Sequence, residues 1–247
     1  MAKSNTTADT KGETARHPRA PKRTASTAAS RPARRPASAK TETPYHHGAL
    51  REALLQAAER VLERDGLAGL TLRAVAREAG VSHAAPTHHF GDLTGLVSEL
   101  AAIGFRQFNA AMASACDAAT SPLERALARP KAYVAYAQAH PGMYGLMFRT
   151  ERLDYSRPSL HEAAESSFAG LANAIGAMRQ EPISGDALTI EQGAAIARAW
   201  SMVHGFTMLL LDGRLEDILE RLPDGTTAEQ LLEAILKSTV AGKLPPT

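Results

Sequence analysis

The sequence of 247 residues predicts an all-α fold, and three observations support this prediction. Apolar residues recur at helical spacing from Leu50 to Leu62, at i, i+3, i+4, i+7, i+8, i+11 and i+12. No segment shows the apolar–polar alternation of a half-buried strand. A serine or threonine followed three residues later by Glu or Gln predicts helix starts at four places: Ser121 with Glu124, Ser159 with Glu162, Thr189 with Gln192, and Thr226 with Glu229. We therefore expect a three-helix head followed by a helical body.

Residues 1–44 differ sharply in composition from the rest of the chain. They contain ten Lys or Arg residues against three acidic residues, a net charge of +7, whereas the whole chain carries only +2. They contain no Leu, Ile, Val or aromatic residue, so they cannot bury enough apolar surface to offset the entropy of ordering. We expect a disordered basic arm. Its Arg- and Ser-rich, acid-poor composition also fits an organellar transit peptide, and this alternative stays open.

The segment from Thr71 to His89 predicts a helix-turn-helix. Thr71 can cap a short helix, Gly80 permits a left-handed turn, and Ser82 can cap a second helix of about Ser82–His89. The inner face of the first helix would be formed by Leu72, Val75, Ala76 and Ala79. The second helix would lie in the major groove of DNA and expose His83, Ala84, Thr87 and His88. Pro86 is compatible with the first turn of that helix.

The remaining helices are predicted at about 95–118, 122–139, 142–149, 159–179, 189–212 and 226–240. Pro130 should kink or split the second of these, because proline lacks an amide hydrogen. The apolar stretch Trp200–Leu211 is interrupted by polar residues and is interpreted as a buried helix rather than a membrane span. Helices 159–179 and 189–212 are long and contain many small residues, which predicts that they form a dimer interface.

The segment Tyr45–Phe105 resembles the DNA-binding domain of the TetR family of bacterial regulators. The resemblance rests on the long first helix, the capped second helix that ends in Ala79-Gly80-Val81-Ser82, and the following His89-Phe90. The body is similar to the subgroup of that family with a Trp-His-Gly signature. The matching residues are Ala132-Tyr133-Val134, His140-Pro141, Tyr144, Met147-Phe148 and Trp200-Ser201-Met202-Val203-His204-Gly205, with Ser82-His83-Ala84-Ala85-Pro86 in the head.

The resemblance implies a division of the chain and a set of partners. We expect a head at 45–105, with its helix-turn-helix at about 71–90, and a ligand-binding and dimerisation domain at 106–242. A homodimer would bind a pseudo-palindromic operator in double-stranded DNA, and a small apolar or amphipathic effector would release it. We expect a cytoplasmic repressor, and activation remains an alternative. The DNA-binding residues are expected to be Thr71, Arg73, Ser82, His83, Ala84, Thr87, His88 and His89.

Two positions depart from the family pattern. Thr87 stands where the family usually has a tyrosine, and Leu93 stands where it usually has a lysine. Both departures remove contacts to DNA phosphates, so the electrostatic grip should come from Arg73, Arg77, His83, His88 and the basic arm.

The body contains a concentration of aromatic, Met and His side chains that we interpret as core residues or as the lining of an effector cavity. Tyr, Trp and His have polar atoms that need partners when buried, and Met adapts to irregular cavities. The resemblance favours the cavity. The candidate ligand-binding residues are Tyr133, Tyr136, Met143, Tyr144, Met147, Phe148, Trp200, His204 and Met208.

Other classes of function have little support in the sequence. Cys116 is the only cysteine, which excludes an intrachain disulfide and a Cys-based zinc site. Adjacent histidines on a helix point about 100° apart, so the pairs His46-His47 and His88-His89 are not expected to bind a metal. We find no convincing catalytic constellation and expect neither an enzyme nor a cofactor. A nucleoid or scaffold protein with the same head remains an alternative, and it would bind DNA without sequence preference.

Overall fold

The computed structural model describes residues 45–148, 150–184 and 187–241, and the predicted basic arm lies outside them. This described part contains ten α-helices, a short 3-10 helix at Thr150–Arg152 and no strand, so the all-α prediction is confirmed. The α-helices are α1 Tyr45–Gly69, α2 Leu72–Glu78, α3 Ala85–Phe90, α4 Leu93–Asp117, α5 Pro122–Ala139, α6 Pro141–Met147, α7 Pro158–Arg179, α8 Ile190–Leu211, α9 Glu216–Leu219 and α10 Ala228–Ala241.

Helix α1 forms one wall of the core through the predicted apolar stripe. Of the seven residues of the stripe, five are buried, while Leu50 is half-buried and Ala53 is exposed. Gly66 interrupts the helix with a φ of 66°, a left-handed conformation that costs glycine little because it has no Cβ. The chain can therefore turn toward α2 near the residue at which the sequence predicts the end of the helix.

Helix α2 begins as predicted, but α3 begins later than predicted. The Thr71 hydroxyl accepts a hydrogen bond from the Ala74 amide at 3.1 Å, and Gly80 adopts the expected left-handed conformation with a φ of 68°. Ser82 does not cap α3, because the N-cap residue is Ala84 and no side chain caps this helix. The reason is Pro86. A helix capped by Ser82 would place Pro86 where the first intrahelical hydrogen bond is needed, whereas a start at Ala85 leaves it in the first turn, where amide hydrogens are free.

Helix α4 connects the head to the body. It is 25 residues long and crosses the predicted boundary at residue 105. The Asp92 side chain caps it by accepting a hydrogen bond from the Gly95 amide at 2.7 Å. Helix α4 packs against α5 and α7, and its apolar residues contribute to one core cluster that contains side chains of both the head and the body.

Two of the four predicted caps in the body are confirmed and two are wrong. Capping boxes join Ser121 with Glu124 and Thr189 with Gln192. Helix α7 begins instead at Pro158, and the Ser159 hydroxyl donates a hydrogen bond to Glu99 Oε1 at 3.0 Å. The last predicted cap is displaced by one residue. The structure pairs Thr227 with Gln230, while the Thr226 hydroxyl bonds Pro223 O in the preceding turn.

Pro130 does not split α5, which runs as one helix from Pro122 to Ala139. Side chains on both sides of the proline contact the core, with Leu127 before it and Val134 after it. These contacts stabilise the helix across the missing amide hydrogen bond.

Helix α8 has a mean hydropathy of 1.3 over its most apolar 18 residues, and among the helices of the described part it is the one whose length and composition alone would allow it to cross a membrane. It packs against α5 and α7 and is not a membrane span. The prediction of a buried helix is wrong for the single chain, because only 28% of its most apolar window is buried. Its remaining apolar residues are half-buried or exposed.

Candidate functional site

The predicted DNA-binding residues lie on the exposed side of the head. Seven of the eight are exposed: Thr71, Arg73, Ser82, His83, Ala84, Thr87 and His88. The eighth, His89, is half-buried, with its ring centroid 6.3 Å from that of Phe90. Because α3 starts at Ala85, the residues Ser82, His83 and Ala84 belong to the turn before the helix. The exposed surface therefore combines a turn with one face of a short helix.

Phe90 fixes the end of α3 in the core. Its side chain is only 3% exposed, and the Arg51 guanidinium lies 5.3 Å from its ring centroid. Arg51 also forms an ion pair with Glu99 of α4 at 2.7 Å. These contacts hold α3 between α1 and α4, so that its opposite face points to solvent.

Most of the positive charge of the head is neutralised. Arg60 and Arg64 both bind Glu78 at 2.9 Å, and Arg64 also pairs with Asp65. These hydrogen-bonded pairs raise the pKa of Arg64 and hold the pKa of Glu78 below its usual range. In the part of the head that the structure describes, Arg73 and Arg77 are the arginines without an ion pair, and both are exposed.

The predicted ligand residues form a packed cluster of rings in the body. Tyr133, Tyr144 and His204 contact one another through their polar atoms. The Tyr144 hydroxyl lies 2.7 Å from His204 Nδ1, and the Tyr133 hydroxyl lies 3.0 Å from both His204 Nδ1 and the Tyr144 hydroxyl. Phe148 packs against all three, with ring centroids 4.8–6.4 Å apart. We call Tyr133, Tyr144, Phe148 and His204 the ring cluster.

Burial sets the protonation of the ring cluster. It lowers the pKa of His204, so the imidazole is neutral near pH 7. It also raises the pKa of Tyr133 and of Tyr144, so both hydroxyls keep their protons. A neutral imidazole has one acceptor nitrogen, and both hydroxyls converge on Nδ1. We therefore assign Nδ1 as the acceptor and Nε2 as the nitrogen that carries hydrogen.

The other predicted ligand residues fall into two groups. Tyr136, Met143 and Met147 are buried, and burial with a smaller contribution from Glu59 raises the pKa of Tyr136 to about 12. Trp200 and Met208 are 44% and 40% exposed, so the expectation of a buried tryptophan is wrong for the single chain. Both lie on the exposed side of α8, which a pattern of apolar residues cannot distinguish from a side that faces the core.

Two clefts of the described part lie away from these nine residues. One cleft of about 240 Å³ lies between α4 and α7, and another of about 270 Å³ lies beside the 3-10 helix. Neither is lined by a predicted ligand residue, so the cavity stays a prediction. Phe108 of α4 was not among the predicted residues, and its ring packs against Tyr133 and Tyr136 at centroid distances of 5.0 and 5.4 Å. Its signal was the apolar stripe of α4 that continues through Phe105 and Met112.

Comparisons with known proteins match both parts of the chain to the same family. Residues 54–100 match the family described as "Bacterial regulatory proteins, tetR family". Residues 124–240 match the family described as "Tetracyclin repressor-like, C-terminal domain". The chain belongs to the TetR family. Its C-terminal domain is of the Trp-His-Gly type, and its two domains are those of a DNA-binding transcriptional regulator.

Solved structures of TetR-family regulators and similar proteins share this fold. A Rhodococcus protein of unknown function is 34% identical, with 81% of this chain and 98% of that chain covered and a TM-score of 0.65. The TetR-family regulator PfmR from Thermus thermophilus is 18% identical, with 78% and 99% covered and a TM-score of 0.53. The regulator FadR from Bacillus subtilis, solved with stearoyl-CoA, is 15% identical, with 78% and 99% covered and a TM-score of 0.55. The comparison with curated proteins gives no match.

Proposed function

We propose that this TetR-family protein is a cytoplasmic homodimeric repressor that binds a pseudo-palindromic operator and is released by an apolar or amphipathic effector. The observation that carries the proposal is the exposed surface formed by the turn at His83-Ala84 and by Thr87 and His88 of α3, beside Arg73. It combines hydrogen-bonding side chains with one arginine that has no ion pair among the described residues. This arrangement suits a helix-turn-helix that reads bases while a cation contacts phosphate.

Base reading is tested with alanine variants at His83 and His88. Each should weaken binding to the selected operator by about 1–3 kcal/mol, with little effect on random DNA. Arg73→Gln should weaken binding to both DNAs, because phosphate contacts carry little sequence information. Arg125→Gln makes the same charge change on an exposed residue of α5 and serves as the control. Equal losses on operator and random DNA for both histidine variants would favour the alternative of a nucleoid protein.

The basic arm is proposed to supply contacts to DNA phosphates that the head lacks. In the described part of the head only Arg73 and Arg77 are left without an ion pair, whereas residues 1–44 carry a net charge of +7. Each phosphate neutralised should add about 0.9 to the slope of log affinity against log salt concentration, so three contacts would change it by nearly 3. Deletion of residues 1–40 should lower both the affinity and this slope. Unchanged values would show that the arm does not contact DNA.

The exposed apolar side of α8 is the proposed dimer interface. Its exposed residues recur at helical spacing on one side: Ile190, Ala194, Ala197, Ser201 and Met208. The exposed side of the neighbouring α7 also contains small residues, among them Ala169 and Ala177. A second copy would cover both helices and give the two-fold symmetry of a pseudo-palindromic site.

Light scattering at micromolar concentration tests the dimer. The wild-type chain should have the mass of two copies, and Ala197→Glu should shift it toward one copy because a buried unpaired charge is costly at an interface. Ala110→Glu, on an exposed position of α4, provides a matched control that should remain dimeric. A wild-type monomer under these conditions would contradict the proposal.

The ring cluster is the proposed effector site. The rings pack against one another with centroids 4.8–6.4 Å apart, so an effector that enters between them must move them apart. Binding would then favour a second conformation, and a coupling of about 1–3 kcal/mol would weaken DNA binding by about 5- to 150-fold. FadR of this fold was solved with stearoyl-CoA, which makes long-chain acyl compounds reasonable first probes.

Trp200 provides a direct assay because it is the only tryptophan of the chain and contacts His204, with ring centroids 6.3 Å apart. We would titrate saturated acyl-CoAs and free fatty acids of increasing length and follow tryptophan fluorescence and operator release. A positive result is a saturable fluorescence change at the concentrations that release DNA. Trp200→Phe controls for the signal, because it should abolish the fluorescence change. Operator release without any fluorescence change in the wild type would place the effector elsewhere.

A further inference from the structure

The segment before α7 contacts three helices of the head. We call residues 151–159, which include the first two residues of α7, the strap. Two arginines of the strap donate hydrogen bonds to helix ends: Arg152 to Leu67 O at the end of α1 and Arg157 to Phe90 O at the end of α3, both at 3.3 Å. Two further groups bind α4: the Asp154 amide donates to Ser98 Oγ at 2.8 Å, and the Ser159 hydroxyl donates to Glu99 Oε1 at 3.0 Å. Because the strap continues directly into α7, these bonds join a helix of the proposed dimer interface to the helix-turn-helix.

Arg157 is the central residue of these contacts. In addition to Phe90 O, its guanidinium lies 3.7 Å from Glu99 Oε1 and 3.6 Å from Asp154 Oδ2. Its Nε is the atom that faces Asp154 Oδ2; it is buried and makes no hydrogen bond among the described residues, because 3.6 Å is too long for one. A buried donor that makes no hydrogen bond is costly, and the carboxylate at this distance offsets that cost only in part, so the other contacts of the side chain determine its place. Here those contacts are to α3 and α4.

Gly95 shows how closely these parts approach one another. A Cβ at this position of α4 would lie 2.0 Å from Phe90 O and 2.5 Å from Arg157 Nη2. Real Cβ atoms do not approach backbone oxygens so closely, so only glycine fits here without a shift of its neighbours. The end of α3, the first turn of α4 and the strap therefore meet at a single point, and the arginine bridges them.

Helix α3 depends on this support because it is short. It has six residues, too few to be stable by itself, and no side chain caps its start. At its end the Arg157 cation binds a terminal carbonyl, which also complements the negative end of the helix dipole. The orientation of α3 on the head is therefore set in part by a residue of the strap.

We propose that Arg157 is a positioning residue for DNA recognition: by fixing the end of α3 where the strap enters α7, it sets the distance and angle between the two recognition helices of a dimer. This inference rests on the proposed function of a dimer on a two-part operator. It predicts that the arginine controls which spacing of half-sites is accepted, and not only how tightly DNA is bound.

The test measures affinity against half-site spacing. An operator is first selected from random DNA with the full-length wild-type chain, and its half-sites are then moved by one or two base pairs. Each base pair shifts a half-site by about 3.4 Å and about 35° around the DNA axis, so the wild type should lose about tenfold or more per step. For Arg157→Gln we expect a penalty of about threefold or less per step, together with a modest loss on the selected operator.

Two further variants make the result interpretable. Gly95→Ala disturbs the same point from α4 and should relax the spacing preference in the same way. Arg125→Gln makes the same charge change in the first turn of α5, which follows the C-terminal end of α4 and is distant from the head. It should keep the wild-type loss of affinity per base-pair step. Circular dichroism checks that each variant is folded. If Arg157→Gln does not fold, Arg157→Lys, which keeps the charge but not the planar fork, replaces it and should relax the preference partly.

The outcomes are distinguishable. If Arg157→Gln and Gly95→Ala lose affinity equally on all spacings, the arginine is merely structural and the inference is overturned. If the wild type selects no two-part operator, the proposed function fails first, and the inference fails with it.

Discussion

The ring cluster allows a prediction in which two substitutions cost more together than the sum of their separate effects. The Tyr133 and Tyr144 hydroxyls both lie within hydrogen-bond distance of His204 Nδ1, at 3.0 and 2.7 Å. Tyr144→Phe removes one hydroxyl but leaves Tyr133 to satisfy the nitrogen. Tyr133→Phe leaves Tyr144 to do the same. Each single variant should therefore lose about 1 kcal/mol of unfolding free energy, the net worth of one hydrogen bond.

The double variant removes the last partner of His204 Nδ1. His204 itself is half-buried, but this nitrogen lies beside tyrosine side chains that are 8% and 1% exposed, so in the double variant the acceptor loses both of its protein partners. An unsatisfied buried polar atom costs about 1–3 kcal/mol, which adds to the two lost bonds and gives a total of about 3–5 kcal/mol. The excess over the sum of the single effects is the coupling energy of the pair.

Urea unfolding followed by circular dichroism measures these energies. The experiment is run at about pH 8, where His204 is neutral in both the folded and the unfolded chain, and at one fixed protein concentration because dimerisation adds to stability. Tyr155→Phe is the matched control, since the hydroxyl of this more exposed tyrosine makes no hydrogen bond within the described residues. A double variant that costs only the sum of the singles would refute the assigned network.

Three other predictions concern stability, and each has its own check in thermal or urea unfolding. Thr71→Ala should cost about 1 kcal/mol through loss of the α2 cap, whereas Ser82→Ala, which removes no cap, should change stability by less than about 0.5 kcal/mol; equal effects would contradict the observed start of α3. Gly104→Ala should lower the free energy of unfolding by about 1–3 kcal/mol, because its Cβ would lie within 2.9 Å of two methionine sulfurs. Gly145→Ala has open space around it and should raise the free energy of unfolding by up to about 1 kcal/mol through α6. A change of the same sign for both variants would refute this packing. Burial lowers the pKa of His204 in the folded state, so the unfolded chain binds the proton first, and stability should be full above about pH 6.5 and fall as the pH drops below it. His204→Asn should remove that part of the pH dependence, and an unchanged profile would show that other groups cause it.

The parts of the fold that local chemistry determines were predictable from the sequence. The capping boxes at Ser121 and Thr189 each need only a hydroxyl and an acidic or amide side chain three residues apart, and both formed as predicted. The same pattern failed at Ser159 because its hydroxyl has a partner in another helix, Glu99. A local pattern cannot show that a distant carboxylate competes for the hydroxyl.

The start of α3 was within reach of sequence reasoning and was still misjudged. Ser82 is a good cap residue, but Pro86 cannot occupy the fourth position of a helix without loss of a hydrogen bond and a steric clash. The backbone constraint of proline outweighs the preference for a serine cap. The residue pattern and the family resemblance both indicated a helix-turn-helix in this region, yet neither gave information on this boundary.

The ring cluster was predictable as a set of residues but not as an arrangement. Tyr133, Tyr144 and His204 lie on three different helices, and no spacing in the sequence shows that their polar atoms meet. Trp200 was expected to be buried because apolar periodicity identifies an apolar side of a helix without showing whether its own chain or a second copy covers it. The hydrogen bonds from the strap to the head left no sequence signal, since each joins residues more than fifty positions apart.

The shortness of α3 limits how much information a single head can extract from DNA. Six helical residues extend about 9 Å, which matches about three base pairs of duplex. A given sequence of three base pairs recurs by chance about once in 64 base pairs. Among the roughly 10⁶ or more competing positions of a genome, this is far too often to identify one operator. Two such three-base-pair sequences at one fixed separation recur only about once in 4,000 base pairs. Every additional separation that the dimer tolerates adds the same number of chance sites again. The regulator thus depends on a fixed half-site separation for much of its discrimination between operator and other DNA, and the contacts between the strap and the head determine that separation.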